Sequence, residues 1–278
     1  SVRKSALLDF VVVGGGPTGV ELSGALAELK MHILPTDYPE LDSDQINIRL
    51  IEGSPNLLGT MSEQASSSAK TFLEKIGVQV YTNMRVEGYD GHLIRLSNGE
   101  SINTKNVLWS AGIKGAVLAG IPPESVVRGR IKVDTYNSVV RLDNIFAMGD
   151  VAAMVTDKYP NGHPCIAPAA IQQGKTLAIN LWKMINHRKP EAFVYFDKGS
   201  MATVGRNKAV VDIGHIRFQG VFAWFVWMFV HLMSLVGFRN KVVTFVNWVW
   251  SYFSYDRGTR LIIRPFSRSS MTEDTTIK

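Results

Sequence analysis

The stretch "VVVGGGPTGVELSGALAELK", residues 11–30, is typical of an apolar strand, a glycine turn and a helix. In the pattern Gly14-x-Gly16-x-x-Gly19, the first glycine permits the tight turn and the second lets the backbone approach a pyrophosphate. The third glycine lets the helix pack closely on the strand. Unpaired N–H groups at the start of the helix would face the phosphate charge. The stretch therefore predicts a turn that holds a dinucleotide.

The next predicted strand, "INIRLIEG" at residues 46–53, ends in Glu52. An acid in this position accepts hydrogen bonds from ribose hydroxyls and repels a 2′-phosphate. The following residues, Gly53 to Asn56, include no Arg or Lys that could bind such a phosphate. NAD(H) is therefore favoured over NADP(H). Glu52 lies farther from the glycines than is usual because the polar stretch 35–45 intervenes, and a solvated strand end is the alternative interpretation.

Glu21 follows the glycine turn by two residues, and we expect it in the first turn of the helix. Pairing with the helix dipole would be worth about 0.3–1 kcal/mol there. A direct role at the nucleotide site is the other interpretation. The residues alone leave both open.

Composition limits the chemistry available to this chain of 278 residues. Its single cysteine, Cys165, excludes an intramolecular disulfide and a dithiol redox pair, so electron transfer would need a bound cofactor. The six histidines show no H-E-x-x-H spacing, and we expect no metal site. The net charge of +6 is concentrated after residue 190, where 11 Lys and Arg face 6 Asp and Glu.

Changes of pattern along the chain predict three segments. Residues 1–113 alternate strands and helices as in a Rossmann-like domain, and turns are expected at Asp90-Gly91 and Asn98-Gly99. Residues 114–190 form a piece too short for a complete domain. It contains "NIFAMGD", 144–150, a strand that ends in Gly149-Asp150 and would suit the ribitol and pyrophosphate of FAD. Residues 191–278 begin with three strand-like pieces, "AFVYFD", "MATVG" and "AVVDIG".

The remaining part of that third segment is rich in aromatic residues. Residues 221–238 are 18 residues without a formal charge, and residues 242–255 are another 14. Four of the six tryptophans lie here, and tryptophan favours the membrane interface. Buried core helices and a transmembrane hairpin are alternatives, but the first stretch would be only about 27 Å long. We expect amphipathic helices at a lipid bilayer surface, with Arg239, Lys241 and the later Arg257, Arg260, Arg264 and Arg268 near anionic headgroups.

Taken together, these motifs resemble the type II NADH dehydrogenases, the single-subunit NADH:quinone oxidoreductases that do not pump protons. The resemblance rests on the glycine turn, "ILPTDYPELD", "IRLIEG", "VLWSAGI", "NIFAMGD", "APAAIQQG", "YFDKGSMATVGRNKAV" and the aromatic tail, which span nearly the whole chain in the family's order. It implies an α/β flavoprotein with a Rossmann-like NAD-binding domain over 1–113. It further implies the C-terminal part of an FAD-binding domain over 114–190 and a membrane-associating helical segment over 191–278.

On the nucleotide side, the resemblance assigns four residues to the NADH pyrophosphate: Gly14, Gly16, Pro17 and Gly19. It places Glu52 at the adenosine ribose and Gly112 beside the nicotinamide half. Glu21 would lie near the contact between nicotinamide and flavin, where it would orient the stack or relay protons. Hydride transfer from NADH would then depend on stacking and on exclusion of water.

On the flavin side, the resemblance assigns Gly149 and Asp150 to the FAD ribitol. The backbone N–H of Ala170 would stabilise negative charge at the pyrimidine end of the reduced flavin. Gln172 and Gln173 would line the quinone site. Pro168 departs from the family's Ala-Gln-x-Ala-x-Gln-Gln, so a contact from the first of those glutamines would be lost or moved.

A second departure is that the chain carries one G-x-G-x-x-G where the family has two. With the opening "SVRKSALL", which reads as the end of a helix, it suggests a fragment without the N-terminal FAD half-domain. The expected enzyme is a peripheral protein on the cytoplasmic face of the inner cell membrane, a homodimer with NADH and a membrane quinone as partners and no nucleic acid. A soluble flavin-dependent NADH reductase with another acceptor, or a non-catalytic membrane-docked nucleotide-binding fragment, is the alternative.

Overall fold

The computed structural model describes residues 6–254 of the chain. Its main sheet has four parallel strands in the order β3-β2-β1-β7. The strands are β1 (Asp9–Val13), β2 (Asn47–Ile51), β3 (Val78–Tyr81) and β7 (Asn106–Trp109). The central strand β1 is a run of β-branched residues, and Val11 and Val12 are completely buried because the sheet is covered on both faces. The predicted α/β fold class with a Rossmann-like sheet is confirmed.

Two helices cover one side of this sheet. Helix α1 (Pro17–Glu28) starts with proline, whose missing N–H costs nothing at a helix start. A π-helical turn (Leu29–Ile33) and the short α2 (Leu34–Asp37) follow it, and a 3₁₀ turn (Ser43–Gln45) leads into β2. Helix α3 (Glu63–Lys75) is capped by Ser62, whose hydroxyl accepts a hydrogen bond from Ala65 N at 3.2 Å.

A three-stranded antiparallel meander covers the other side of the sheet. It consists of β4 (Val86–Tyr89), β5 (Leu93–Leu96) and β6 (Ser101–Asn103). Its connections carry glycines with φ +93° at Gly91 and +86° at Gly99. The predicted turns at Asp90-Gly91 and Asn98-Gly99 are therefore confirmed. Ile94 and Leu96 pack against Val11, Val13 and Ile51 in a shared core.

The middle of the chain packs around a second hydrophobic core. Its sheet has the order β10-β9-β8, with β8 (Val126–Val127), β9 (Arg130–Val133) and β10 (Ala152–Met154). Two 3₁₀ turns (Pro123–Ser125 and Gly149–Val151) precede β8 and β10. Helix α4 (Ala167–Ile185) follows this sheet in the chain.

The prediction of a strand at "AFVYFD" is wrong. Residues 192–197 form an irregular segment in which Phe193 and Tyr195 are buried against Ile131 and Val133. Phe193 N donates to Thr135 O at 2.7 Å, so the apolar residues are buried without a strand ladder. The apolar residues of this segment are explained by their burial in the second core and not by a β-strand.

The last sheet is antiparallel, with β11 (Ser200–Thr203), β12 (Ala209–Ile213) and β13 (Ile216–Gly220). Ala202 and Val210 of this sheet belong to the same buried core as Val12 and Val20. The strands after residue 198 are thus packed on α1 and α3, the helices that cover the Rossmann-like sheet, although they fall in the third predicted segment. The division at residues 113 and 190 stays a prediction.

Two helices end the described chain, α5 (Val221–Ser234) and α6 (Phe238–Ser254). Gly237, with φ +85°, separates them and shortens the first helix relative to the predicted stretch 221–238. Among residues 6–254, no helix combines the length and apolarity needed to span a bilayer. One compact unit ends at Met228 and a second begins at Phe229. Tyr255 and the predicted headgroup ligands Arg257, Arg260, Arg264 and Arg268 lie outside the described residues.

Candidate nucleotide and flavin sites

The glycine turn lies at the carboxyl end of β1, and each of its glycines meets a different constraint. Gly14 has φ +107°, and a Cβ there would lie 2.8 Å from Ala111 N. A Cβ on Gly19 would overlap the carbonyl oxygen of Gly14, so only glycine lets α1 approach the turn. A Cβ on Gly16 would meet no atom within 4 Å. Gly16 is therefore the glycine that protein packing does not require, and its open side is where a ligand could approach the backbone.

Glu52 follows β2 directly and its carboxylate touches the glycine turn. Gly15 N donates to Glu52 Oε2 at 2.5 Å, and Ser54 N donates to Glu52 Oε1 at 2.7 Å. Burial opposes ionisation of this carboxyl, but the hydrogen bonds from Gly15 and Ser54 outweigh it and hold its pKa below the ordinary 4.5. Each carboxylate oxygen retains a lone pair for a further donor such as a ribose hydroxyl.

The loop of residues 53–61 closes over the glycine turn, and sequence reasoning did not single it out. Leu58 N donates to Gly15 O at 2.8 Å, and the side chains of Leu57 and Leu58 are both buried. Leu58 has φ +51°, a left-handed conformation that costs about 1 kcal/mol for a residue with a Cβ. Pro55 and Asn56 are residue types that favour turns, but they do not indicate these contacts.

Gly112 lies beyond the end of β7, next to the glycine turn. It has φ +76° and is exposed, with open space where a Cβ would stand. Ser110, which the sequence analysis passed over, fastens this segment to the turn. Its hydroxyl donates to Val13 O at 2.8 Å, and its backbone N–H donates to the same oxygen at 2.9 Å. The structure thus brings Gly14, Gly16, Pro17, Gly19, Glu52 and Gly112 to one edge of the parallel sheet.

Glu21 lies in the second turn of α1, so its expected placement in the first turn is wrong. The helix starts at Pro17, so Glu21 is its fifth residue and lies just beyond the first turn. The carboxylate accepts hydrogen bonds from Thr203 N at 3.2 Å and Thr203 Oγ1 at 3.4 Å. Pairing with the helix dipole is correspondingly weak because that effect falls off within the first turn. Glu21 joins α1 to β11.

Gly149 and Asp150 lie in a 3₁₀ turn beside the start of α4. Gly149 has φ +70°, and a Cβ there would come within 3.2 Å of Ala170 Cβ. The side chain of Asp150 is exposed. Helix α4 has no side-chain cap, Pro168 occupies its first turn, and Ala170 N makes a 3.2 Å hydrogen bond to Ile166 O. An acidic exposed turn thus adjoins an uncapped helix N-terminus, with Ala170 between them.

Gln172 and Gln173 make different internal contacts. Gln173 is 1% exposed, and its Oε1 accepts a hydrogen bond from Gly149 N at 2.7 Å. Gln172 is half-buried and pairs with the backbone of Phe196 through both ends of its amide, at 2.9 and 3.0 Å. Both side chains therefore hold neighbouring backbone, and their role at a quinone site stays a prediction.

Helix α5 presents aromatic side chains on its surface. Ala223 is fully buried, and Trp224 and Trp227 pack with it on the sheet formed by β11 to β13. Phe222 contacts Phe218 and Phe225 contacts Trp224 at the margin of that core, but the two residues are 69% and 54% exposed. Large exposed apolar surfaces of this kind mark interaction sites. Within residues 6–254, no group of three or more His, Cys, Asp or Glu side chains could hold a metal ion.

These features agree with what family models recognise in the chain. Residues 2–174 match the model of the pyridine nucleotide-disulphide oxidoreductases, and residues 198–255 match the NDH2 C-terminal domain. The first match covers more than half of the chain, so the chain belongs to the pyridine nucleotide-disulphide oxidoreductase family. The second match falls on β11 to β13 and the two aromatic helices.

Individual relatives indicate which members of this family the chain resembles. The chain is 34% identical to the type II NADH:quinone oxidoreductase Ndh of Mycobacterium tuberculosis, over 98% of this chain and 60% of the relative. It is 32% identical to the mitochondrial internal alternative NAD(P)H-ubiquinone oxidoreductase A1 of Arabidopsis thaliana, over 90% of this chain and 52% of the relative. The chain thus spans little more than half the length of these curated relatives.

A solved structure resembles the fold as a whole. The structure of NDH2 from Plasmodium falciparum in complex with NADH superimposes with a TM-score of 0.81 at 20% sequence identity. The match covers 91% of this chain and 67% of that chain. At this identity the likeness defines the fold, and the resemblance to type II NADH dehydrogenases rests on the sequence matches.

Proposed function

We propose that this chain carries the NADH-binding part of an NADH:quinone oxidoreductase that passes a hydride to FAD and then two electrons to a membrane quinone, without pumping protons. The observation that carries the proposal is the open side of Gly16 with the Glu52 carboxylate fixed beside it. The names of the relatives, which are type II NADH:quinone oxidoreductases, support the same reaction.

The nucleotide site would bind NADH in an extended form across the edge of the sheet. Gly14, Gly16, Pro17 and Gly19 would hold the pyrophosphate on the N-terminus of α1. The ionised Glu52, already oriented by Gly15 and Ser54, would accept the ribose hydroxyls, and its charge would disfavour a 2′-phosphate. Gly112 would leave room for the nicotinamide half, since no atom fills the space beside its Cα.

The residues around Gly149 fit a flavin. FAD, when bound, supplies the hydride acceptor that this chain lacks among its own side chains. The exposed Asp150 carboxylate would bind ribitol hydroxyls, and Gly149 would let the backbone approach them. The start of α4 has no acidic residue, so its positive end would favour negative charge at Ala170. Glu21, held on α1, would orient the stack of nicotinamide and flavin or relay protons there.

The quinone site would lie near the bilayer surface. We propose that the exposed aromatic residues of α5 and the apolar residues of α6 bind the bilayer surface as a peripheral element, on the cytoplasmic face of the inner membrane. Gln172 and Gln173 would lie along the quinone's approach. A homodimer is part of the proposal on the family resemblance alone.

Flavin absorbance tests the reaction. The purified chain, incubated with FAD and then freed of unbound flavin, should absorb at about 450 nm. NADH should remove that absorbance band, and a soluble quinone should restore it. A protein that binds NADH and stays colourless would contradict the oxidoreductase proposal for this chain and favour a nucleotide-binding fragment. Bleaching without recovery by quinone would favour a reductase with another acceptor.

Vesicle binding tests the membrane element. We expect the chain to stay bound to anionic phospholipid vesicles in high salt. Salt screens the attraction between its basic residues and the headgroups, but it does not remove the binding energy from burial of apolar side chains in the bilayer. The double variant Phe222→Ser and Phe225→Ser should bind less. Ile185→Ser, which alters an even more exposed apolar residue on α4, is the control. Quantitative release by salt without detergent would contradict the proposal.

A further inference from the structure

We infer that Asp212 is a positioning residue for the nucleotide site, and this inference rests on the proposed binding of NADH at the glycine turn. Asp212 lies on β12, far from the turn along the chain and outside the dinucleotide motif. It acts through the 53–61 loop, whose two ends are fastened in different ways.

The first step is the contact between the loop and the turn. Leu58 N donates to Gly15 O at 2.8 Å, and a Cβ on Gly15 would lie 2.6 Å from Leu57 Cδ2. The two leucines therefore pack directly against Gly15. Gly15 in turn donates to the Glu52 carboxylate. The orientation of the residue that would bind the adenosine ribose therefore depends on where this loop lies.

The second step is the loop's need for external support. Leu58 adopts a left-handed conformation, and Gly59, Thr60 and Met61 separate it from Ser62. A strained residue keeps its conformation only where surrounding contacts over-determine it. Glu52 and Ser54 secure the first end of the loop through the 2.7 Å bond between them. The second end needs a separate anchor.

Asp212 supplies that anchor through Ser62. Its Oδ2 accepts Ser62 N at 2.6 Å, and its Oδ1 accepts Ser62 Oγ at 2.9 Å. Both oxygens thus hold the residue that ends the loop and caps α3. Hydrogen bonds to a carboxylate are about twice as strong as neutral ones, and the pair is half-buried, where water competes less. Sequence separation of 150 residues makes this a link between the C-terminal sheet and the nucleotide turn.

A matched contact makes the inference testable. Gln64 Nε2 donates to Gln219 Oε1 at 3.0 Å, which joins the same helix to the same sheet without touching the loop. Removing Gln219 therefore also takes away a contact between α3 and this sheet, one neutral and exposed bond, while leaving Ser62 anchored. Only a positioning role predicts that the two variants differ in nucleotide affinity.

The experiment measures binding of ADP-ribose and NADH to the full chain by calorimetry, beside thermal unfolding. Asp212→Ala should weaken both nucleotides about five- to tenfold, because the bound geometry is no longer preorganised. Gln219→Ala should bind within about twofold of the unchanged chain. Hydrogen exchange of residues 53–61 should accelerate in Asp212→Ala and stay unchanged in Gln219→Ala.

Each outcome decides the inference. Equal affinity in a folded Asp212→Ala chain, or equal losses in both variants, would overturn it and leave the nucleotide site intact. If Asp212→Ala does not fold, Asp212→Asn replaces it. That variant keeps one acceptor and should lose about threefold in affinity, and an unchanged affinity would overturn the inference. An unaltered chain that binds neither nucleotide would refute the proposed site itself, and the inference with it.

Discussion

The two candidate cofactor turns of this chain are built very differently. The turn after β1 is buried at Gly14 and Gly15 and is held from three sides, by Ile51 O, Leu58 N and the Ser110 hydroxyl. The turn before β10 is held at Gly149 N by the amide of Gln173, and its Asp150 is exposed. The first turn is therefore fixed before a ligand arrives. The second leaves its conformation more dependent on what binds to it.

The largest expected effect is on folding at the first turn. Gly19→Ala should lower the free energy of unfolding by about 3 kcal/mol, because the new Cβ would overlap Gly14 O and force α1 off the sheet. Gly149→Ala, at the second turn, should cost only about 1 kcal/mol, since its contact is a side-chain methyl at 3.2 Å and its strain is conformational. Denaturant unfolding measures both. Similar losses for the two variants would contradict the difference between the turns.

Gly16→Ala should separate binding from stability at the first turn. Gly16 has φ −70° and ψ −178°, a conformation open to any residue, and its Cβ position is empty. We expect an unchanged thermal midpoint with NADH affinity lower by about 100-fold, or about 2.7 kcal/mol, because the methyl group would stand where the pyrophosphate approaches. Calorimetric titration and thermal unfolding check the two halves. Unchanged affinity would remove the pyrophosphate from this position.

The two glutamines of α4 should differ in a way that sharpens the account of the second turn. Gln173→Leu leaves the partly buried N–H of Gly149 without its acceptor, which should cost about 1–2 kcal/mol and loosen the turn. Gln172→Leu should cost less than about 1 kcal/mol, because water can replace its bonds to Phe196 in a partly exposed position. Denaturant unfolding and flavin retention measure the pair. The opposite order would mean that Gln173 does not secure Gly149.

The smallest expected effect is on pH dependence, and it distinguishes the two turns by their pH ranges. His163 is buried with Tyr159, Phe193 and Tyr195 in the core that flanks Gly149. Burial, helped by the nearby Arg130 charge, lowers its pKa below the usual 6.5. The unfolded chain then binds more protons, so stability contributed by neutral His163 is present above pH 6.5 and is lost as pH falls through the lowered folded pKa.

Glu52 should respond only in stronger acid. Its folded pKa lies below 4.5, so its contribution is complete above that value and is lost as pH falls further. At about pH 5.5, protection against hydrogen exchange relative to the intrinsic exchange rate should therefore fall around residues 147–163, while residues 11–19 stay protected. His163→Phe should abolish the change. Earlier exchange at the glycine turn would reverse the expected order.

Sequence reasoning succeeded where structure has local causes. The glycine turn, the strand β2 that directly precedes Glu52 and the two hairpin turns depend on residues close together in the chain, and their places were predicted to within a residue or so. The contacts of Ser110, Leu58 and Asp212 depend on residues brought together only by the fold, and no local pattern indicates them. The error at "AFVYFD" has the same origin, because burial against β9 produces apolar residues without a strand.

The shared core of Val12 and Val210 has a consequence for synthesis of the protein. A ribosome synthesises the chain from its N-terminus. The glycine turn therefore emerges long before the strands that cover α1 and anchor Ser62. Until β12 has left the exit tunnel, Val20 and Ala27 lack part of their covering and the nascent nucleotide turn lacks one anchor. The full covering of α1 and the anchor of Ser62 therefore depend on a segment made nearly 200 residues after the glycine turn.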